Sequence, residues 1–378
     1  MIYLDAAATS KPKPEVIKAM TSYFADKWFN PSSLYSESNK VKNDIESARK
    51  IIGDFINADK NEIFFTSSGS ESNNWAIQGF VNYWNHKGIT PIIVTSTIEH
   101  KSIIDCVDHM CADVHYVGVD NEGYINIDAL EYILDHYNNK AILVSIQFAN
   151  NEIGTVQNIK EISNIVHKYN AVFHTDAVQA FGRIHIDVEE LGIDMLSASG
   201  HKIYAPKGIG FLYKKDSVQI DPLIYGSQMD GMRGGTENTA FIIGMAKAVE
   251  LIKKDTEYDL RLTVLRNNFI SELKSIGCKI NGSLENRLAN NINVTFPQNI
   301  MGESLIYLLD MSGIMVSTSS ACNSRLFAIS HVLKAIGLSN EEAVKTIRIT
   351  LPDDITMDEI DIAVQEIKKQ IKLLTLED

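Results

Sequence analysis

From about residue 40 to residue 255 the apolar positions alternate between two periods. Val41, Ile45, Ala48, Ile52 and Phe55 recur every three or four residues, the spacing of one helix face, and the strand-like run Glu62-Ile63-Phe64-Phe65-Thr66 follows. A helix over about Ser72 to Tyr83 leads to the strand Pro91-Ile92-Ile93-Val94-Thr95. Further strands are predicted at Val114–Val117, Ala141–Ile146, Ala171–His174, Met195–Ala198 and Ile209–Tyr213. Short, wholly apolar runs separated by helices predict an α/β fold with a mainly parallel sheet covered on both faces. Past about Gly244 the pattern changes. A long helical stretch runs through Leu251, Leu262 and Phe269. It is followed by a strand at Asn293–Phe296, a helix over Ser304–Leu309 and a strand at Ile314–Val316. The end carries the strand Thr346–Leu351 and a helix with Ile360, Val364, Ile367 and Ile371 on one face. This predicts a smaller α+β domain, with the functional site between two lobes.

A chain of 378 residues exceeds one ordinary core, which fits two domains. Its 45% hydrophobic and 22% charged content is that of a folded globular protein, and its net charge of −13 argues against nucleic acid or an anionic membrane as main partner. The segment Met1–Asp5 has neither a basic stretch nor an apolar one, so a signal peptide is not expected, and no apolar run reaches the length of a spanning helix. The four cysteines, Cys106, Cys111, Cys278 and Cys322, lack zinc-site spacing, and free thiols fit a reducing cytoplasm.

Three stretches carry candidate chemistry. Ser197-Ala198-Ser199-Gly200-His201-Lys202 closes an apolar run and places Lys202 at a strand end among polar groups, where a desolvated amine becomes a nucleophile. The strand through Val172 and Phe173 ends in Asp176. An amine able to form a Schiff base and a carboxylate able to hold a pyridinium nitrogen are the protein's half of a pyridoxal phosphate site. Thr66–Ser72 follows a strand and opens a helix, and small hydroxyl residues around Gly69 can present several donors to one phosphate, although an ordinary helix cap has the same composition. Glu99-His100 lies just past a strand, where the histidine either stacks on a flat cofactor and shuttles protons or caps a helix; His174 reads as structural. The small-residue run Ser317–Ser324 holds Cys322, and Arg325 would favour its thiolate; the other cysteines read as core residues. A zinc site built from His100, His174, Asp176 and His201 leaves Lys202 and the serine loop unexplained.

In order along the chain stand Tyr3–Thr9, Asn30–Ser33, Gly69–Asn74, Ile98–His100, Asn150–Gly154, Asp176–Gln179, Ser199–Lys202, Met232–Thr236 and Ser319–Cys322. Taken together they resemble the pyridoxal-phosphate cysteine desulfurases of the class V aminotransferase group, in particular the branch that supplies sulfur for iron–sulfur clusters. The resemblance implies the fold-type I architecture, with a seven-stranded sheet in a large cofactor-binding domain over residues 15–255. Residues 1–14 and 256–378 would form the small domain, which carries the cysteine loop. It implies that Lys202 holds pyridoxal 5'-phosphate covalently, that Asp176 pairs with the ring nitrogen, that His100 stacks on the ring, and that Gln179 and Asn151 lie near its hydroxyl. Gly69, Ser70, Ser199 and His201 would bind the phosphate, with Thr236 reaching it from the second subunit of a homodimer. Asn151 would also touch the substrate, and Arg348 would clamp its carboxylate.

The implied activity removes sulfur from L-cysteine, giving L-alanine and a persulfide on Cys322. That persulfide would pass to a protein acceptor such as an iron–sulfur scaffold or to thio-cofactor assembly. Lys202, Cys322 and His100 would be catalytic, and no metal is expected. A selenocysteine lyase, a related class V transaminase and a non-catalytic sulfur-relay scaffold are the alternatives. The chain departs from the family pattern after Arg348. Pro352-Asp353-Asp354 replaces a small residue, a basic or aromatic one and then threonine, so an acidic pair close to the carboxylate site is expected to bear on substrate binding.

Overall fold

The computed structural model describes residues 1–253, 258–297, 300–318 and 329–376. Strand β1 (Ile2–Tyr3) is followed by seven strands: β2 (Ile63–Thr66), β3 (Ile92–Ser96), β4 (Asp113–Val117), β5 (Ile142–Ser145), β6 (Val172–Asp176), β7 (Met195–Ser199) and β8 (Gly210–Lys214). These seven form one sheet in the order β2-β8-β7-β6-β5-β3-β4. The pairs β3–β4, β3–β5, β5–β6 and β6–β7 are parallel, and β8 runs antiparallel to both β2 and β7.

Alternation along each strand divides the sheet's side chains between two cores. Phe65, Val94, Val144, Phe173, Leu196 and Phe211 pack on one face with the helices Pro14–Ala25, Ser36–Ile56, Ile127–His136, Ile159–Lys168 and Thr239–Ile252. Phe64, Ile93, Leu143, Met195 and Leu212 point the other way, against Trp75, Ile77 and Phe80 of the helix Gly69–His86 and Ile103 of the helix Lys101–Val107. Burial on both faces is why these strands read as continuous apolar runs.

A third core lies against a second sheet, and a small fourth cluster joins Val332, Leu333 and Ala343 to Ile98 and Ile153. Strands β9 (Lys279–Ile280), β10 (Asn291–Thr295), β11 (Ile314–Met315), β12 (Ser317–Thr318) and β13 (Thr346–Thr350) include a four-stranded antiparallel sheet, β12-β13-β10-β9. Leu262 and Phe269 of the helix Tyr258–Ser275, Leu305 and Leu309 of Gly302–Met311, and Ile360 and Ile367 of Met357–Leu376 pack against it. Ile2 and Leu4 join this core, because β1 pairs in parallel with β11. The long helical stretch read past Gly244 is two helices. Thr239–Ile252 packs into the large sheet's core and Tyr258–Ser275 into the third core.

Candidate active site

The carboxyl ends of β2, β3, β5, β6 and β7 open on one cavity of about 370 Å³, the usual ligand position in an open parallel sheet. Gly69, Ser70, His100, Asn151, Asp176, Gln179, Ser199, His201, Lys202 and Arg348 all line it. Thr236 does not; it is exposed on its own chain. Cys322 and Arg325 lie outside the described residues.

Lys202 ends a short 3-10 turn, Gly200–Lys202, directly after β7, and its Nζ donates to the carbonyls of Ala7 (2.5 Å) and Ala8 (2.9 Å). Asp176, the last residue of β6, is 6% exposed. One carboxylate oxygen accepts from Asn73 Nδ2 at 2.7 Å and the other from the Val178 N–H at 2.9 Å. His100 caps the helix Lys101–Val107 and lines the cavity as well, so its two readings coincide. Its Nδ1 accepts from the Ser102 N–H (3.1 Å) and lies 2.8 Å from the Ser102 hydroxyl, which leaves the ring proton on Nε2.

Gly69 opens the helix Gly69–His86, with the Ser68 hydroxyl accepting from the Glu71 N–H. A Cβ at Gly69 would stand 2.5 Å from Val178 Cγ2, so a residue without a side chain is needed where this helix start lines the cavity. Opposite, Ser199 Oγ is buried without a hydrogen-bond partner. His201 touches Thr9 Oγ1 at 3.2 Å; burial first, then the charges of Lys202 and Lys207, lower its pKa to about 4 and keep its ring neutral.

Arg348, on β13, reaches the cavity from the third core. Its guanidinium donates to Asp5 Oδ1 (2.8 Å) and to the Asn151 carbonyl (3.2 Å), while its Nε is buried without a partner. The acidic pair does not face it. Asp353 turns its carboxylate to Lys13 (3.3 Å) and toward Arg183 (3.9 Å), and Asp354 is exposed.

Sequence reasoning missed several groups at this cavity. Asn73 links Asp176 to the Ser102 hydroxyl (2.9 Å) and so to His100; it stands in the stretch Gly69–Asn74 that carries the resemblance, which gives it no role. Glu99 is fully buried, and desolvation pushes its pKa up to about 8 against hydrogen bonds from Ser96 and the Gln147 N–H. Glu152 is pushed up to about 7 by burial; the Ser330 hydroxyl donates to it at 2.5 Å, and Arg348 and His100 oppose the shift. His331 lines the cavity with its Nε2 on the Glu99 carbonyl at 2.9 Å. His174 lies elsewhere, buried between Ser145 Oγ (2.8 Å) and Ser197 Oγ (3.0 Å). Among the described residues, no three of His, Cys, Asp and Glu gather as a metal site, and no helix is long and apolar enough to cross a membrane.

A family model described as aminotransferase class-V matches residues 2–362. The chain belongs to that family. A relative from Clostridium botulinum (strain Hall), named cysteine desulfurase IscS, is 44% identical over 98% of this chain and 94% of its own length. One of the same name from Methanosarcina thermophila is 42% identical over 99% of this chain and 92% of its own. A solved structure titled NifS-like protein superposes with a TM-score of 0.91 at 34% identity, covering 98% of this chain and 99% of that one. Another, titled SspA in complex with cysteine, gives 0.83 at 36% identity, covering 93% and 99%. The fold is therefore that of the family's cysteine desulfurases, and its members are enzymes that work with pyridoxal phosphate.

Proposed function

We propose that this chain is an L-cysteine desulfurase that uses pyridoxal 5'-phosphate. The observation that carries the reading is the meeting of Lys202, Asp176, His100 and Arg348 in one cavity, drawn from three strand ends of the large sheet and from β13. The residues fit the cofactor. Ser199 Oγ is a buried donor without a partner, Gly69 leaves room that a side chain would fill, and Asp176 is a buried carboxylate already oriented by two donors. Gly69, Ser70, Ser199 and His201 would hold the phosphate, Asp176 the ring nitrogen, Gln179 and Asn151 the ring hydroxyl, and Lys202 the aldehyde carbon. When bound, this cofactor supplies an electron sink for the substrate's Cα.

The chain's residues do the rest. Arg348 and Asn151 take the substrate carboxylate, and the guanidinium offers it a charge-assisted, two-point contact. Lys202 removes the Cα proton as general base, and His100, whose ring proton sits on Nε2, is a proton donor on the cavity wall. The Cys322 thiolate attacks the substrate sulfur and the carbon–sulfur bond breaks. Its electron pair stays with the carbon, which is protonated and leaves as alanine, while the sulfur stays on Cys322 as a persulfide for a protein acceptor. The SspA structure holds cysteine, which supports this substrate. Residues 15–255 form the cofactor-binding unit, and residues 1–14 with 256–378 the unit that brings Arg348 and Cys322. The active form is a cytoplasmic homodimer in which Thr236, exposed on its own chain, serves the partner's phosphate site.

The test is a visible spectrum of the protein loaded with the cofactor, followed by assays of sulfide and alanine from cysteine with and without a reductant. Lys202→Ala should lose the adduct that borohydride traps, and Cys322→Ser should keep the visible band yet release no sulfide. Alanine and sulfide at full rate from Cys322→Ser would refute the assigned thiol.

A further inference from the structure

The acidic residue that departs from the family pattern sits behind the lysine rather than beside the substrate arginine. Arg183 Nη2 donates to the backbone carbonyl of Lys202 at 3.2 Å, and its Nη1 lies 3.9 Å from Asp353 Oδ1. The other Asp353 oxygen pairs with Lys13 at 3.3 Å, and the Asp353 N–H donates to the Tyr204 hydroxyl at 2.7 Å. Tyr204 itself stands at φ +63°, a left-handed conformation that a bulky residue adopts only where its surroundings hold it. What holds it is on both sides. Its N–H donates to Ser10 Oγ (2.7 Å), its carbonyl accepts from the Lys13 N–H (3.2 Å), and its ring lies under the Lys13 ammonium. Gly182 makes the approach close, since a side chain there would meet Ile203 Cγ2 at 2.8 Å. The Arg183 side chain is 5% exposed in this junction and that of Asp353 14%, so both are largely screened from water.

We propose that Asp353 and Arg183 form a brace that fixes the backbone of Lys202, which makes both of them positioning residues for the lysine rather than determinants of carboxylate binding. The inference rests on the desulfurase reading. Lys202 has to serve first as the cofactor's covalent anchor and then as a base, and a fixed main chain confines that exchange to side-chain rotation. Asp353 lies three residues past the end of β13, the strand that carries Arg348, so one stretch of chain sets both the substrate clamp and the lysine's support.

The experiment compares wild type, Asp353→Asn, Arg183→Lys and the double variant. It measures the rate at which the visible band grows when pyridoxal phosphate is added to cofactor-free protein, borohydride trapping by mass, and kcat and KM for cysteine. Both single variants should slow loading and lower kcat by about fivefold to tenfold, with KM within about twofold. The double variant should be no worse than the weaker single one, because both break the same chain of contacts. A raised KM with normal loading would assign Asp353 to the substrate and overturn the brace, as would variants that load and turn over like wild type. Should Asp353→Asn fail to fold by far-ultraviolet circular dichroism, Arg183→Lys, which keeps the charge and loses the fork, decides on the same readings. A wild-type chain that forms no band overturns the desulfurase reading and the brace together, whereas normal wild-type loading with unaffected variants overturns the brace alone.

Discussion

Two groups proposed to act on the cofactor's ring are joined by one amide. Asn73 Nδ2 gives one hydrogen to Asp176 and the other to Ser102 Oγ, which in turn lies against His100 Nδ1. The amide thus orients the carboxylate and fixes the imidazole's tautomer at once. A hydrogen bond to an ionised acceptor contributes roughly 1.5–3 kcal/mol, so its loss corresponds to a factor of about ten to a hundred in a binding constant. Asn73→Ala should therefore weaken pyridoxal phosphate binding at least about tenfold in an absorbance titration, with unchanged far-ultraviolet circular dichroism. Affinity equal to wild type would mean that Val178 alone orients Asp176. Residues of this kind are hard to read from a sequence. Lys202, Asp176 and His100 announce themselves as reactive types at strand ends. Asn73 and Asp5 act only through partners distant in the chain, 103 positions away for Asp176 and 343 for Arg348.

At the scale of elements, β6 shows how the sheet both builds and constrains the site. Its outer end supplies Asp176, while two residues earlier His174 ties it to β5 and β7 through Ser145 and Ser197. Burial lowers the His174 pKa to about 3, against about 6.5 in an unfolded chain. Between those values the unfolded state binds a proton that the folded state refuses. The stability this group contributes is complete above about pH 6.5 and is lost as pH falls toward 3, by up to about 1.4 kcal/mol per pH unit. His174→Asn removes that titration and costs about 1–3 kcal/mol of stability at neutral pH through a lost strand link. The gap in melting temperature between wild type and variant should be widest near pH 8 and narrow by pH 5; parallel curves would sink the assignment. The strands themselves were legible because burial on two faces leaves apolar runs such as Ile92–Val94. The short ones were not. Ile314–Val316 reads as a single strand, yet Ile314–Met315 pairs with Ile2–Tyr3 while Ser317–Thr318 joins β13. Two-residue strands take their register from distant partners rather than from a local period.

Among the described residues, two segments expose large apolar side chains that bear on a partner subunit, one around Trp28 and Leu34 and one at Tyr225. Trp28 is 67% exposed, Leu34 97% and Tyr225 72%, although large apolar side chains contribute most when buried. Phe29 stacks on Trp28 and meets Tyr35 edge-on, so this is an ordered aromatic cluster rather than scattered exposure. Thr236 is exposed close in sequence to Tyr225, and the Gly234 N–H donates to the Ile224 carbonyl, so one folded loop carries both an apolar anchor and the residue proposed for a partner's phosphate site. A two-fold interface that covered both segments would bury the aromatic cluster and complete two cavities together. Leu34→Asp with Tyr225→Asp should weaken the dimer by at least about tenfold in sedimentation equilibrium, since apolar anchors dominate such interfaces. The same variant should also release pyridoxal phosphate faster on dialysis, and Thr236→Ala should reproduce that release without dissociating the dimer. If wild type sediments as a monomer and holds the cofactor equally well, the phosphate site is complete within one chain and Thr236 has no part in it.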